Sequence, residues 1–288
     1  MIWVNAILQG ILLGGLYALF AAGLSLMFGV MRFVNLAHGD FIIVAAYLTL
    51  GVCETLGVNP FLSVLLIVPV MGAAGYGLQR FLFNRVLGQD ILPPVLVTFG
   101  LSIIIQNVLL DHYGANGKKV TVGALDTASV NIGGDLAIGS LPALTFLAAV
   151  TIISLIWFIF YRTSIGRILR ATADDAEIVG LMGANNAHTF AIATMLATAV
   201  VAIAGGLFAM RTNFDPSAGP IRLLFAFESV IIGGMGSLWG TLAGGIALGI
   251  AQTVGGQIDP RFQLLAGHLI FLIILAVRPR GLFSRRMS

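Results

Sequence analysis

Charge is what this sequence has least of. Of its 288 residues only 9% are Asp, Glu, Lys or Arg, against roughly a quarter in an ordinary soluble domain, and a water-facing surface cannot be assembled from so few. Cysteine is nearly absent: Cys53 stands alone, which excludes an intrachain disulfide, and no Cys/His spacing matches a metal site. There is no Gly-x-x-x-x-Gly-Lys-Ser/Thr stretch, so the phosphate cradle of that class of nucleotide hydrolase is missing. The apolar run over residues 1–31 has no basic segment before it and is too long for a secretory leader, so it is expected to remain as a helix. A net charge of +3 does not point to nucleic acid, because the arginines sit at the ends of apolar runs, where orientation in a membrane accounts for them.

What the sequence has is apolar length. Hydrophobic residues make up 58% of it, and uncharged runs cover residues 1–31, 55–79, 91–110, 140–161, 189–210 and 229–258. A bilayer core of ~30 Å takes about 20 apolar residues per helix. Two shorter runs, 41–53 and 262–277, lie at the lower limit and span with help from uncharged flanks or snorkelling arginines. The runs do not alternate in the way barrel strands do. The expected fold is therefore an all-α, polytopic membrane helical bundle of about eight hydrophobic segments, a single transmembrane domain over residues 1–288.

Arginines orient such a bundle, since cytoplasmic loops collect Lys and Arg. Arg80 and Arg85 flank one connection, Arg162, Arg167 and Arg170 open a second, and Arg278, Arg280, Arg285 and Arg286 form the C-terminal tail. These places are expected inside, which puts the polar stretch 111–139 and the turn at Asn213–Pro216 outside, and counting back from Arg80 puts the N-terminus outside too. Residues 223–258 must then enter and return within 36 residues, too few for two full spans at ~20 each. With Gly233, Gly234, Gly236 and Gly240 inside it, this stretch reads as a broken or re-entrant Gly-rich segment followed by a full helix. A similar interruption falls at Asn35, Leu36, Ala37, His38, Gly39 and Asp40. Bare backbone at membrane depth is tolerated only inside protein or along a cavity, and paired breaks in two halves mark the pathway of many transporters. Asn35, His38, Gly39, Asp40, Glu228, Gly233, Gly234 and Gly236 are therefore the candidate pathway residues.

Most of the 36 glycines have a plainer use, the close packing of helices where lipid supplies no hydrophobic drive; Gly14, Gly15, Gly205, Gly206, Gly244, Gly245 and Gly249 fit it. Of the ionisable groups near or within the apolar runs, Glu54 and His188 lie at expected ends and belong to the interface. Glu228 suits a cavity wall or a structural hydrogen bond equally well, and His38, His188 and His268 show no relay spacing. The segment 162–186 is the most polar of the expected inner connections. It reads either as a solvated loop or as a short amphipathic helix presenting Ile178, Leu181 and Met182 at helical spacing.

Three stretches together resemble one family. Gly23 to Phe41 (GLSLMFGVMRFVNLAHGDF), Gly166 through Gly183 and Ser229 to Gly245 (SVIIGGMGSLWGTLAGG) resemble, in this order, ABC importer permeases of the branched-chain amino acid family, in particular the smaller, first permease subunit. The resemblance implies a second permease subunit, two cytoplasmic ATPase subunits that bind the ATP, and a soluble substrate-binding protein on the outer face of a bacterial inner membrane; it implies no cofactor in this chain. It also implies that 162–186 is a cytoplasmic coupling loop, with Arg170, Ala171, Asp174, Asp175, Glu177, Ile178, Gly180, Leu181, Met182 and Gly183 facing the ATPase. Members of the family serve leucine, isoleucine and valine, or urea, short amides and aromatic acids, and branched-chain amino acids are the expectation here. The alternative is an ion-coupled secondary transporter, which needs coupling-ion sites and no nucleotide. A membrane enzyme needs a convergent nucleophile and base that these residues do not supply.

Overall fold

The structure, a computed structural model, describes residues 2–88, 90, 92–133 and 136–283; Ser284, Arg285 and Arg286 of the expected inner tail lie outside the described residues. Its helices are α1 (Ile2–Met31), α2 (His38–Leu56), α3 (Pro60–Phe81), α4 (Leu92–Tyr113), α5 (Ser140–Arg162), α6 (Ser164–Asp174), α7 (Ala176–Leu181), α8 (Asn186–Arg211), α9 (Gly219–Gly233), α10 (Leu238–Ile258) and α11 (Phe262–Val277). Seven of them (α1 to α5, α8 and α10) are long and apolar enough to cross a bilayer. With 15 and 16 residues, α9 and α11 rise only about 22–24 Å. The protein is a multi-pass membrane helical bundle.

Several helices begin where a side chain can satisfy the free N–H groups of a first turn. Asn59 accepts from Phe61 N–H with Pro60 in the first helical position, Asn185 accepts from His188 N–H and Ser237 from Gly240 N–H. α1 is apolar all round and buried on every face between Gly14 and Met27, so it forms the centre of the bundle. Its seam with α10 is made by small residues. A methyl group at Gly249 would stand 2.3 Å from Gly10 O, and one at Gly245 2.6 Å from Gly14 O, separations no side chain tolerates, so the two backbones touch. Gly205 on Ile42 O and Gly244 on Ser229 O are equally close, as the packing reading of these glycines expects.

The elements alternate between two ends. At one lie the start of α1, the turns 57–59 and 259–261, and the segment 114–139, which is tied to α8 and its exit by Val120 N–H to Ala209 O (3.0 Å) and by the Lys118–Phe214 bridge. Gln9 on α1 donates to Ala137 O at 3.0 Å. Part of 111–139 is not loop: α4 continues to Tyr113, and β1 (Ser129–Gly133) pairs antiparallel with β2 (Leu136–Gly139), with an irregularity after Asn131. Here Asp126 accepts from Val122 N–H (2.7 Å) and lies 3.0 Å from Lys119 Nζ. These contacts, the backbone one first, hold its carboxyl below the usual range. The other, arginine-rich end carries Arg32, Arg80, Arg85, the segment 162–186 and Arg278.

Both interruptions expected from the sequence are present. The stretch 223–258 holds the end of the half-length α9 followed by the full-length α10, as the sequence suggests, with Gly233, Gly234 and Gly236 at the turn between them. Gly234 and Gly236 have φ of 100° and 81°, which glycine alone adopts readily. The bare backbone at depth lies at 32–37, where the early break is expected, and at 212–218, which the sequence does not announce. After α1 ends at Met31 the chain climbs back into the bundle without helix, and α2 starts level with Phe20, whose carbonyl receives His38 Nε2 at 2.8 Å. Phe20 is 11 residues before Met31, about 16 Å of helical rise. The chain after α8 dips similarly, so α9 is the re-entrant half-length helix.

Candidate functional site

The two half-depth starts meet. A methyl group on Gly39 would lie 2.1 Å from Gly219 O, and one on Gly219 would lie 2.0 Å from Asp40 Oδ1, so the first turns of α2 and α9 cross in direct backbone contact. Asp40 sits in the first turn of α2 and against the first residue of α9, where the partial positive charge of both helix starts favours a carboxylate. Its Oδ1 accepts from Gln106 Nε2 on α4 (3.0 Å), and the same amide also donates to Ser102 Oγ (3.0 Å). Asp40 Oδ2 has no hydrogen-bond partner among the described residues. Asn35 Oδ1 accepts from Ala37 N–H at 3.0 Å and so shapes the climb into α2. Asn35, His38 and Asp40 are all fully buried in the chain.

A second polar cluster lies deeper along α9. Glu228 Oε1 is 2.5 Å from His268 Nδ1 on α11, with Glu228 buried and His268 about one-third exposed. Nearby, Tyr17 Oη on α1 donates to Gln252 Oε1 on α10 at 2.5 Å. Gly267 of α11 packs directly on the Gln252 side chain, and Gly267 is the buried residue of that helix. α11 is thus held by the Glu228 contact together with the packing of Ile270, Phe271 and Ile274 on the core.

The structure brings Asn35, His38, Gly39 and Asp40 together at the junction and places Glu228 two to three turns down α9, on the face toward α11. Gly233 and Gly234 are apart from both, at the arginine-rich end. Gly233 packs on Gly240, and Gly234 on Gly281 of the segment after α11. That segment returns to cap α9: Leu282 N–H donates to Ile232 O (2.9 Å) and Phe283 N–H to Gly233 O (3.1 Å). Gly236 is exposed beside a cleft. Glu54 and His188 are exposed at helix ends.

The segment 162–186 is two helices and not one. α6 ends at Asp174, and Asp175 turns the chain and accepts from Glu177 N–H (3.0 Å) and Ile178 N–H (2.9 Å) to start α7. Gly183, at φ 90°, closes α7 with Ala184 N–H on Val179 O (3.2 Å), a left-handed ending that suits glycine. Asn186 Nδ2 donates to Ala176 O at 2.5 Å and ties α7 to the start of α8. Ile178, Leu181 and Met182 are 55%, 84% and 82% exposed. Ala171, Asp174, Asp175, Glu177 and Gly180 are also exposed. Arg170 is not: it turns inward, its guanidinium 4.9 Å over the Tyr161 ring.

Five polar participants, Tyr17 and Gln252 buried and the other three half-buried, escape a reading of the sequence. Gln106, Tyr17 and Gln252 are single uncharged polar residues inside apolar runs, with no spacing that names a partner. Arg211, which reaches Leu12 O at 3.4 Å, and Arg222, which lies 4.6 Å over the Phe208 ring, flank the dip at 212–218. Two arginines around a turn expected at the arginine-poor end were the available signal for a re-entrant chain.

Comparison with known proteins bears on what this arrangement serves. The family described as branched-chain amino acid transport system / permease component matches residues 6–277. The chain is 26% identical to the high-affinity branched-chain amino acid transport system permease protein BraD of Pseudomonas aeruginosa, over 98% of this chain and 96% of that one. It is 27% identical to LivH of Escherichia coli K12, a permease protein of the same description, with the same coverage. The fructose import permease protein FrcC of Rhizobium meliloti is 26% identical over 85% of this chain and 69% of its own length. A match that runs from α1 to the end of α11, on a bundle whose helices cross a membrane and whose buried charges sit at helix junctions, places the chain in the family of branched-chain amino acid transport system permease components, which are transport proteins and not enzymes.

Proposed function

We propose that this chain is the smaller permease subunit of an ATP-driven importer of the bacterial inner membrane, and that it translocates leucine, isoleucine and valine. A second permease subunit completes the path, two cytoplasmic ATPase subunits bind and hydrolyse the ATP, and a periplasmic binding protein delivers the substrate. The observation that carries the reading is the apolar face of α7. Lipid covers the exposed leucines of α4 or α5, but Ile178 and Leu181 on a six-residue helix, and Met182 at its end, stand beyond the ends of the spans, among Asp174, Asp175 and Glu177. Such a face wants a protein groove.

The route inward is mechanical. Asn186 and the Ala184–Val179 bond fix α7 to α8, α8 packs against α1, α2 and α3, and α2 crosses α9 at Gly39 and Gly219. A push on α7 therefore arrives at the junction of the two half-depth helices, where Asn35, His38, Gly39 and Asp40 are placed to open a path and α9 carries Glu228, Gly233 and Gly234. Rigid-body displacement of packed helices is the ordinary currency of such machines.

The test is reconstitution in proteoliposomes with the ATPase, the second permease and the binding protein. Leucine uptake should require ATP on the α7 side, and fructose should neither enter nor stimulate hydrolysis. Uptake that persists without ATPase under a proton or sodium gradient overturns the reading in favour of a secondary transporter. Fructose-driven uptake keeps the importer and replaces the substrate.

A further inference from the structure

A cleft of about 700 Å³ lies not at the junction but at the arginine-rich end, between α1, α5, α6 and α10. Arg32 and Arg170 both line it. Arg170 Nη1 is buried without a hydrogen-bond partner, although an Arg donor withdrawn from water is costly to leave unsatisfied. Among the described residues neither arginine is ion-paired; Asp174 stands on the rim, one turn after Arg170, without closing a pair. Two turns before Arg32 on α1, Ser25 Oγ, on a residue 1% exposed, also lines the cleft without a partner. The start of α10 at Ser237 and Leu238 adds the positive end of a 21-residue helix. Trp157, Tyr161 and Trp239 line the remaining wall, the side chains that favour the boundary between acyl chains and headgroups. Phe158, the next residue of α5 after Trp157, is exposed and with Leu147 and Leu155 forms an apolar flank of that helix beside the cleft wall.

We infer that this cleft binds a phosphate-bearing anion, the headgroup of an anionic phospholipid. Arg32 and Arg170 are its counter-charges, Ser25 is a hydroxyl donor, and the α5 face is the bed for an acyl chain. The chemistry follows from what the cleft offers: two cations and a helix start call for concentrated negative charge with several acceptor oxygens, and the aromatic rim with an apolar approach calls for a ligand whose other end is hydrocarbon. Basic pockets between membrane helices hold such headgroups. The inference is independent of what the permease carries and of whether α7 docks on an ATPase, since it needs only the membrane placement of the bundle.

The test uses the full chain in neutral detergent. Native mass spectrometry and thermal unfolding are followed with phosphatidylglycerol, with phosphatidylcholine at equal mole fraction, and with inorganic phosphate. Retained phosphatidylglycerol adducts and a raised unfolding temperature are expected for the wild type, with no comparable effect of phosphatidylcholine. Arg32→Gln with Arg170→Gln should weaken phosphatidylglycerol retention roughly thirtyfold, from two basic contacts. Arg170→Lys should recover part of it, and Arg261→Gln, at the opposite end, should leave it unchanged. If the double variant does not fold, Arg32→Gln alone, at an exposed position, reads the same effect at roughly fivefold. An arginine-dependent rise with inorganic phosphate and no preference for the lipid keeps the anion site and assigns it to a free phosphate. Phosphatidylglycerol retention that is the same in the wild type and in the arginine variants overturns the inference.

Discussion

A single methyl group tests the crossing of α2 and α9. Gly39→Ala places a carbon 2.1 Å from Gly219 O, and because the obstacle is backbone the helices must separate. Overpacking of this kind costs typically 1–3 kcal/mol, so the unfolding temperature in detergent should fall and leucine uptake with it. Gly77→Ala, on α3 with nothing within 4 Å of the new carbon, should be neutral or slightly stabilising, since alanine favours helix over glycine; equal behaviour of the two variants would remove the close crossing. At the second polar cluster, Glu228→Gln and His268→Gln should couple in a double-mutant cycle. About 1 kcal/mol is expected, discounted for the part-exposed imidazole, and additive losses would show that the contact does not hold α11. The residue scale is also where the sequence is least legible. Asp40 and Glu228 attract notice because a carboxylate in an apolar run has no bland place, whereas Gln106, Tyr17 and Gln252 join the polar clusters only through neighbours 66 to 235 positions away.

At the scale of elements, spans were readable because bilayer thickness sets their length, and connections were not, because their form depends on caps and tertiary bonds. The division of 162–186 at Asp175 is a case. Three acids and an alanine-rich stretch suggest one helix, but Asp175 captures the N–H groups of Glu177 and Ile178 and starts a new one in another direction. Two variants separate a working α7 from a solvated connection. Leu181→Asp puts a charge on a residue 84% exposed, which leaves the isolated chain folded; its loss should appear as about 1–3 kcal/mol of weaker ATPase assembly. Gly183→Val forces a β-branched side chain to φ 90°, costing of order 1–3 kcal/mol locally, and should uncouple uptake from hydrolysis while the spans stay inserted. Assembly and leucine-stimulated hydrolysis at wild-type levels in both variants would show that α7 transmits nothing.

For the whole molecule, orientation is the property on which the division of labour rests. Ten of the 15 Lys and Arg residues fall on segments expected inside by the arginine bias, and the described ones among them, from Arg32 to Arg280, gather at one end of the bundle. The opposite end holds the β1–β2 hairpin and the start of α1, so one rule about loops and the packing of the described helices give the same polarity along the chain. If that polarity also sets sidedness, α7 faces the cytoplasm and the hairpin faces the binding protein. The isolated chain should then hydrolyse no ATP from either side, having no phosphate cradle; turnover surviving the removal of contaminating ATPases would end the permease assignment. Sidedness itself is read with single cysteines in a Cys53→Ser background, which removes the lone native thiol. Gly117→Cys, on an exposed stretch with its nearest neighbour 3.9 Å away, should react with a membrane-impermeant maleimide in cells with a permeabilised outer membrane. Leu181→Cys should react only after the inner membrane is broken, although the position is 84% exposed in the chain, and labelling of Leu181→Cys from outside intact inner membranes would invert the topology and take the ATPase-docking role from α7.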